Sequence, residues 1–215
     1  MTSEKPDSGI NTTDRISGQK VAEAVEVLKQ GGIVAFPTET YYGLAVDPFN
    51  HGALARLFQL KKRITSKPIL TLVRDENELP RLASEIPFRF IPLMNEFWPG
   101  PLTLVFKAHS DLPILLTGNT GTVGVRVSSH PVASLLTRAV EFPITATSAN
   151  ISGRKAAESV EEIHGQFGTG IDVILDGGKT VGGLGSTIVG LEDKELKLVR
   201  PGVIPFARIL ERAFR

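Results

Sequence analysis

Strand-length apolar runs and helix-period segments take turns along this chain, and that alternation restricts it to the α/β class. The strand runs fall at Ile33–Phe36, Leu44–Val46, Ile69–Val73, Leu102–Lys107, Thr122–Val127, Ile144–Thr147 and Ile171–Leu175. A hairpin follows, Ser186–Leu191 with Glu195–Arg200, across Glu192-Asp193-Lys194. Helical periodicity occupies the intervals: one helix opens at Ser17 or Gly18, others run over about 52–62, 76–84, 88–97 and 131–140, one is capped by Ser159, and a last one spans 204–214. The late hairpin adds antiparallel character. The pattern therefore predicts a single α/β domain with a twisted mixed sheet flanked by helices. Residues 1–17 are polar and read as a disordered leader, which leaves 18–215 as the folded domain.

Several of these runs carry or abut polar groups that a purely structural strand does not need. Arg126 lies within Val123-Gly124-Val125-Arg126-Val127, and Arg200 closes Leu196–Val199 before Pro201-Gly202. Lys61 and Arg63 end a helical run, and Thr147, Ser148 and Asn150 end the run that begins at Ile144. An arginine in a core element needs a partner, because an unpaired buried charge is expensive. Several at element ends suggest one shared anion, phosphate or carboxylate, which the planar guanidinium fork matches. The loop Pro37–Gly43 adds Thr38 and Thr40 on either side of Glu39, a site for a small polar ligand with an amino group.

Composition excludes other chemistries. The chain has 215 residues, 41% hydrophobic and 22% charged, with a net charge of +1, so no bulk polycation serves nucleic acid. With no cysteine there is no disulfide, thiolate catalysis or Cys-based zinc site. His51, His109, His130 and His164 show no metal-ligand spacing. Gly177-Gly178-Lys179-Thr180 follows a strand like a phosphate-binding loop, but Val173 occupies the position of the required upstream glycine. It reads as a Gly-rich turn or flap. No apolar run is long enough to span a bilayer and no signal peptide is visible, so a cytoplasmic location is expected.

Seven segments, in order, resemble the YrdC-type L-threonylcarbamoyladenylate synthase family: GGIVAFPTETYYGL (31–44), LKKRITSKPI (60–69), FWPGPLTLVF (97–106), VGVRVSSHP (123–131), TSANISG (147–153), GSTIV (185–189) and VRPGVI (199–204). The resemblance implies an α/β fold around a cationic cleft that joins L-threonine, bicarbonate and ATP into threonylcarbamoyl-AMP and releases pyrophosphate. It implies a threonylcarbamoyl transferase partner that acts on tRNA adenosine beside the anticodon, with possible tRNA contact and no membrane association. It assigns Lys61, Arg63 and Arg126 to catalysis. Thr38, Thr40, Arg126 and Ser186 take the substrate, while Lys61, Arg63, Ser148, Asn150 and Arg200 take the nucleotide. ATP is a substrate that brings Mg2+ with it; no tightly bound cofactor and no metal site are expected. The family usually has Asp where this chain has Glu39, and Pro where it has Ser128. Ending at Arg215, the chain resembles the short, single-domain form. A cationic cleft that binds RNA without making an adenylate is the alternative reading.

Overall fold

A computed structural model describes residues 16–213. Most of the expected leader, residues 1–15, lies outside the described residues, as does Phe214 of the expected last helix. Ile16 is buried and Ser17 accepts a hydrogen bond from the Lys20 amide, which caps α1 (Gly18–Lys29). Ala24, Val25 and Leu28 form the buried face of this helix.

The strands are short. β1 (Val34–Pro37) and β2 (Tyr42–Ala45) pair antiparallel across the Thr38–Tyr41 loop. α2 (His51–Lys61) is capped by Asn50 and ends where Lys62 turns left-handed, before β3 (Thr71–Leu72). The expected helix near 76–84 is a 3-10 turn, Glu76–Arg81, because Pro80 inside it removes an amide donor. α3 (Ile91–Phe97) leads to β4 (Leu102–Lys107), then α4 (Ile114–Thr117), β5 (Thr122–Arg126) and α5 (Pro131–Ala139). The chain continues through β6 (Ile144–Thr145), β7 (Thr147–Ser148), α6 (Val160–Phe167) and β8 (Val173–Ile174). It closes with the hairpin β9 (Thr187–Glu192) and β10 (Glu195–Arg200), then α7 (Phe206–Ala213).

The class is the expected mixed α/β, but the strands divide between two sheets instead of one. Their orders are β7-β2-β1-β8 and β10-β9-β4-β5-β3-β6. The run Ile144–Thr147 is where they separate. Thr145 pairs with Thr71 in the larger sheet, Thr147 pairs with Leu44 in the smaller one, and the intervening Ala146 amide donates to the Leu70 carbonyl at 2.7 Å.

Strand direction decides which side chains meet. β5 runs parallel to β3 and antiparallel to β4; β4 runs parallel to β9, and β10 opposes β9. β5 and β10 therefore point the same way, and their last residues, Arg126 and Arg200, reach the same edge of the larger sheet. The pleat then sorts faces. Val123 and Val125 of β5 and Leu102, Leu104 and Phe106 of β4 enter the main core, where Phe106 meets Phe90 edge-on at 5.1 Å between ring centres. Each such fully buried side chain contributes roughly 1.5–3 kcal/mol. Thr122, Gly124 and Arg126 line the opposite, uncovered face with Val105 and Ile188.

Candidate active site

That uncovered face is the floor of a cleft of about 620 Å³. Its walls come from the β1–β2 loop (Thr38, Thr40, Tyr41), the segment after α2 (Arg63, Pro68), the β7 end (Thr147, Ser148) and the β9–β10 ends (Gly185, Ser186, Arg200). Three arginines from three distant elements line it, and no carboxylate side chain does among the described residues.

Arg126 is buried, and its Nη1 donates to Glu39 Oε1 at 3.0 Å. Glu39 Oε2 accepts from the Ser128 hydroxyl. Burial disfavours the Arg126 cation and Glu39 supports it. Arg200 donates through Nη2 to the Ser186 carbonyl at 2.8 Å and hydroxyl at 3.2 Å. Burial, and then the Arg126 charge, disfavour its cation. Arg63 donates to the carbonyls of Lys67 and Pro68, stacks over the Phe58 ring at 5.9 Å, and has its cation disfavoured by burial. Arginine does not give up its proton, so this desolvation stands as a demand for an anion.

The threonines of the first loop are buried side by side. Thr38 and Thr40 share a hydrogen bond of 3.1 Å, and the Thr38 hydroxyl is placed to donate to the Tyr41 carbonyl at 2.7 Å. Ser186, also buried, shares a hydrogen bond of 2.9 Å with Thr103. The Ser148 hydroxyl donates to Asn150 Oδ1 at 2.6 Å.

Two expected ligand groups stand behind the wall instead of on it. Lys61 is 1% exposed and does not line the cleft. Its ammonium donates to the carbonyls of Ser148 and Asn150, the latter at 2.7 Å. Burial, reinforced by the Arg63 charge, pushes it down to about 7. Asn150 donates from Nδ2 to the carbonyls of Ile151 and Arg154, which leaves it shaping the turn.

Sequence reasoning passed over Tyr41, Tyr42, Thr120 and Thr122, all of which line the cleft. Thr122 was within reach, since period-two alternation puts it on the face of Arg126. The tyrosines fasten the Gly-rich segment: Tyr41 donates to the Gly183 carbonyl at 2.6 Å and Tyr42 to that of Gly178 at 2.7 Å, while the Gly182 amide donates to the Thr40 carbonyl at 2.7 Å. Burial, with Asp176 nearby, holds the Tyr42 phenol above its usual range, so it remains a donor. The segment is thus a turn docked on the cleft wall with Val181 on its outside, 87% exposed.

Residues 26–202 match the Sua5/YciO/YrdC family, whose description reads Telomere recombination. The chain belongs to the Sua5/YciO/YrdC family. Among Sua5/YciO/YrdC relatives, it is 38% identical over 200 residues to a threonylcarbamoyl-AMP synthase of Pyrococcus abyssi, covering 93% of this chain and 59% of that protein. A threonylcarbamoyl-AMP synthase of Coxiella burnetii is 37% identical over 74% of this chain and 86% of its own length. The structure superposes on P. abyssi Sua5 complexed with L-threonine with a TM-score of 0.86 at 36% identity, over 95% of this chain and 58% of that one. Escherichia coli YciO gives 0.77 at 28% identity, over 87% and 91%. The Sua5/YciO/YrdC fold is thus shared over nearly all the described residues, and the chain spans three fifths or less of the Pyrococcus proteins.

Proposed function

We propose that this cleft makes threonylcarbamoyl-AMP from L-threonine, bicarbonate and ATP. The observation that carries the reading is the convergence of Arg63, Arg126 and Arg200 on one cleft without a lining carboxylate. Such a cleft suits two anions brought together, and the named relatives make this product.

Two bond changes are required. The threonine amine forms an N–C bond with the bicarbonate carbon, and hydroxide leaves with a proton as water. A carbamate oxygen then bonds to the α-phosphorus of ATP while the α–β P–O bond breaks and pyrophosphate departs with the electron pair. Neither step needs a protein nucleophile. Both need the reactants aligned and the developing charge met by fixed donors. Arg126, with Thr38 and Thr40, takes the amino acid and its carbamate. Arg63 and Arg200 take the phosphates, with Ser148 and Ser186 as neutral donors. Lys61 and Asn150 act through the turn they hold rather than by touching the nucleotide.

Among the described residues no cluster of three or more His, Asp or Glu could hold a metal, and the cleft wall offers no carboxylate. The donor set does not fit a resident metal, and Mg2+ is treated as part of the ATP substrate. The product is destined for a transferase acting on tRNA adenosine. For a cytoplasmic location, the support is that no described helix is long and apolar enough to cross a membrane.

The test is pyrophosphate release from ATP and bicarbonate with each amino acid in turn. Threonine-dependent release is expected. Equal release with every amino acid, or none, overturns the reading.

A further inference from the structure

The pleat that sets Val105 and Gly124 on the floor of the cleft sets Thr103 of β4 on the same face. Thr103 is nevertheless fully buried and does not line the cleft. Its hydroxyl meets that of Ser186, which does line the cleft, at 2.9 Å. Among the described residues this is the one hydrogen bond that the Thr103 hydroxyl makes.

Counting protons gives that bond a direction. A hydroxyl has one proton to donate and two lone pairs to accept with. Ser186 Oγ already accepts from Arg200 Nη2 at 3.2 Å. If Ser186 donated to Thr103, the Thr103 proton would be left in the interior with no acceptor, which buried polar groups rarely tolerate. The bond therefore runs from Thr103 to Ser186. Both lone pairs of the serine oxygen are then taken, one by Thr103 and one by Arg200. Its proton is all that it has left to offer, and among the described residues no protein acceptor takes it.

We infer that Thr103 is a positioning residue: by donating to Ser186 from behind the cleft floor, it makes the serine hydroxyl a donor only, committed to the anion held beside Arg200. That this anion is a phosphate of ATP rests on the synthase reading. A hydroxyl free to turn presents its proton in one orientation and its lone pairs in another, and must reorient before it helps. One whose acceptor sites are filled is oriented before the ligand arrives. Two donors feeding one oxygen also polarise its O–H bond, so that it donates more strongly. Thr103 touches no ligand and acts through Ser186.

The experiment compares wild type, Thr103→Val, Thr103→Ser, Ser186→Ala and the double variant Thr103→Val with Ser186→Ala. Binding of ATP with Mg2+ and, separately, of inorganic pyrophosphate is measured by calorimetry. Thr103→Val keeps the shape and removes the donor, and is expected to weaken binding of both probes about fivefold. Thr103→Ser keeps the donor and is expected to stay within about twofold of wild type. In the Ser186→Ala background, Thr103→Val is expected to change nothing further, because the group it acts through is gone. An equal fivefold loss in both backgrounds overturns the inference and makes Thr103 a packing residue of β4. So does full affinity in Thr103→Val. If Thr103→Val does not fold, proton NMR of ligand-free wild type decides. The Thr103 hydroxyl proton is expected to exchange slowly with water, and that of Ser186 to exchange fast until pyrophosphate binds. A protected Ser186 proton in the ligand-free protein overturns the inference. Wild type that binds pyrophosphate but shows no threonine-dependent release from ATP fails the synthase reading alone, and the two backgrounds compared with pyrophosphate still decide the role of Thr103.

Discussion

Arg200 Nη2 grips Ser186 twice, by its carbonyl at 2.8 Å and its hydroxyl at 3.2 Å, so the last residue of β10 is fastened to the residue before β9. The guanidinium is oriented before any ligand arrives and, among the described residues, has no carboxylate partner to release. Arg200→Ala is therefore expected to lower kcat/KM for pyrophosphate release on the order of 10²-fold. The melting temperature should move by only a few degrees, because a half-exposed hydrogen bond is worth about 1 kcal/mol. Loss of fold in Arg200→Ala would instead make the residue a clamp of the hairpin.

Lys61 gives the protein a pH signature. Its folded value is about 7 against an ordinary 10.5. Between these limits the unfolded chain binds the proton and the folded one does not, so this residue adds stability as pH rises from 7 toward 10.5. Below pH 7 both states are protonated and the slope vanishes. Urea unfolding at pH 7 and pH 9 is expected to show wild type gaining about 2 kcal/mol more than Lys61→Met over that interval. Parallel changes in the two proteins would place the Lys61 titration elsewhere.

Gly202 is where the ends of the hairpin come together. A Cβ there would stand 2.3 Å from the Gly185 carbonyl oxygen and 2.4 Å from the backbone of Ser186 and Thr187. Those neighbours are main chain and cannot swing aside. Gly202→Ala is expected to destabilise by about 2–3 kcal/mol and to displace Ser186, reducing activity well beyond the stability loss. Chemical denaturation and activity at a temperature where the variant remains folded check both halves.

Tyr41 ties the Gly-rich turn to the cleft through the Gly183 carbonyl. Tyr41→Phe removes one hydrogen bond, about 1 kcal/mol, without changing the ring. Amide exchange at Gly182, whose N–H is bonded to the Thr40 carbonyl, should speed up about fivefold, and cleavage near Val181 and Leu184 should become easier. Exchange at wild-type rate would mean that the turn is held elsewhere.

The arginines of the cleft were legible because a charge inside or at the end of an apolar strand stands out against period-two alternation. Arg126 and Arg200 both did, and the structure brings them to one edge. The division into two sheets was hidden, since Ile144–Thr147 has the composition of one strand and nothing local says that its halves choose different partners. Lys61 was read beside Arg63 as an anion-binding group at a helix end, a position where a cation also complements the dipole. Its burial depends on the Ser148–Asn150 turn folding over it from far along the chain. α4 went unseen because four residues after Pro113 carry no period.

The arginine that completes the trio in the cleft sits on β10, downstream of the first-loop threonines, Arg63 and Arg126. Synthesis proceeds from the N-terminus, so the ribosome releases those groups well before Arg200. Until the β9–β10 hairpin has emerged and paired, the cleft holds two of its three arginines. The three-sided cationic wall is therefore a late product of folding, set by the closing of one hairpin.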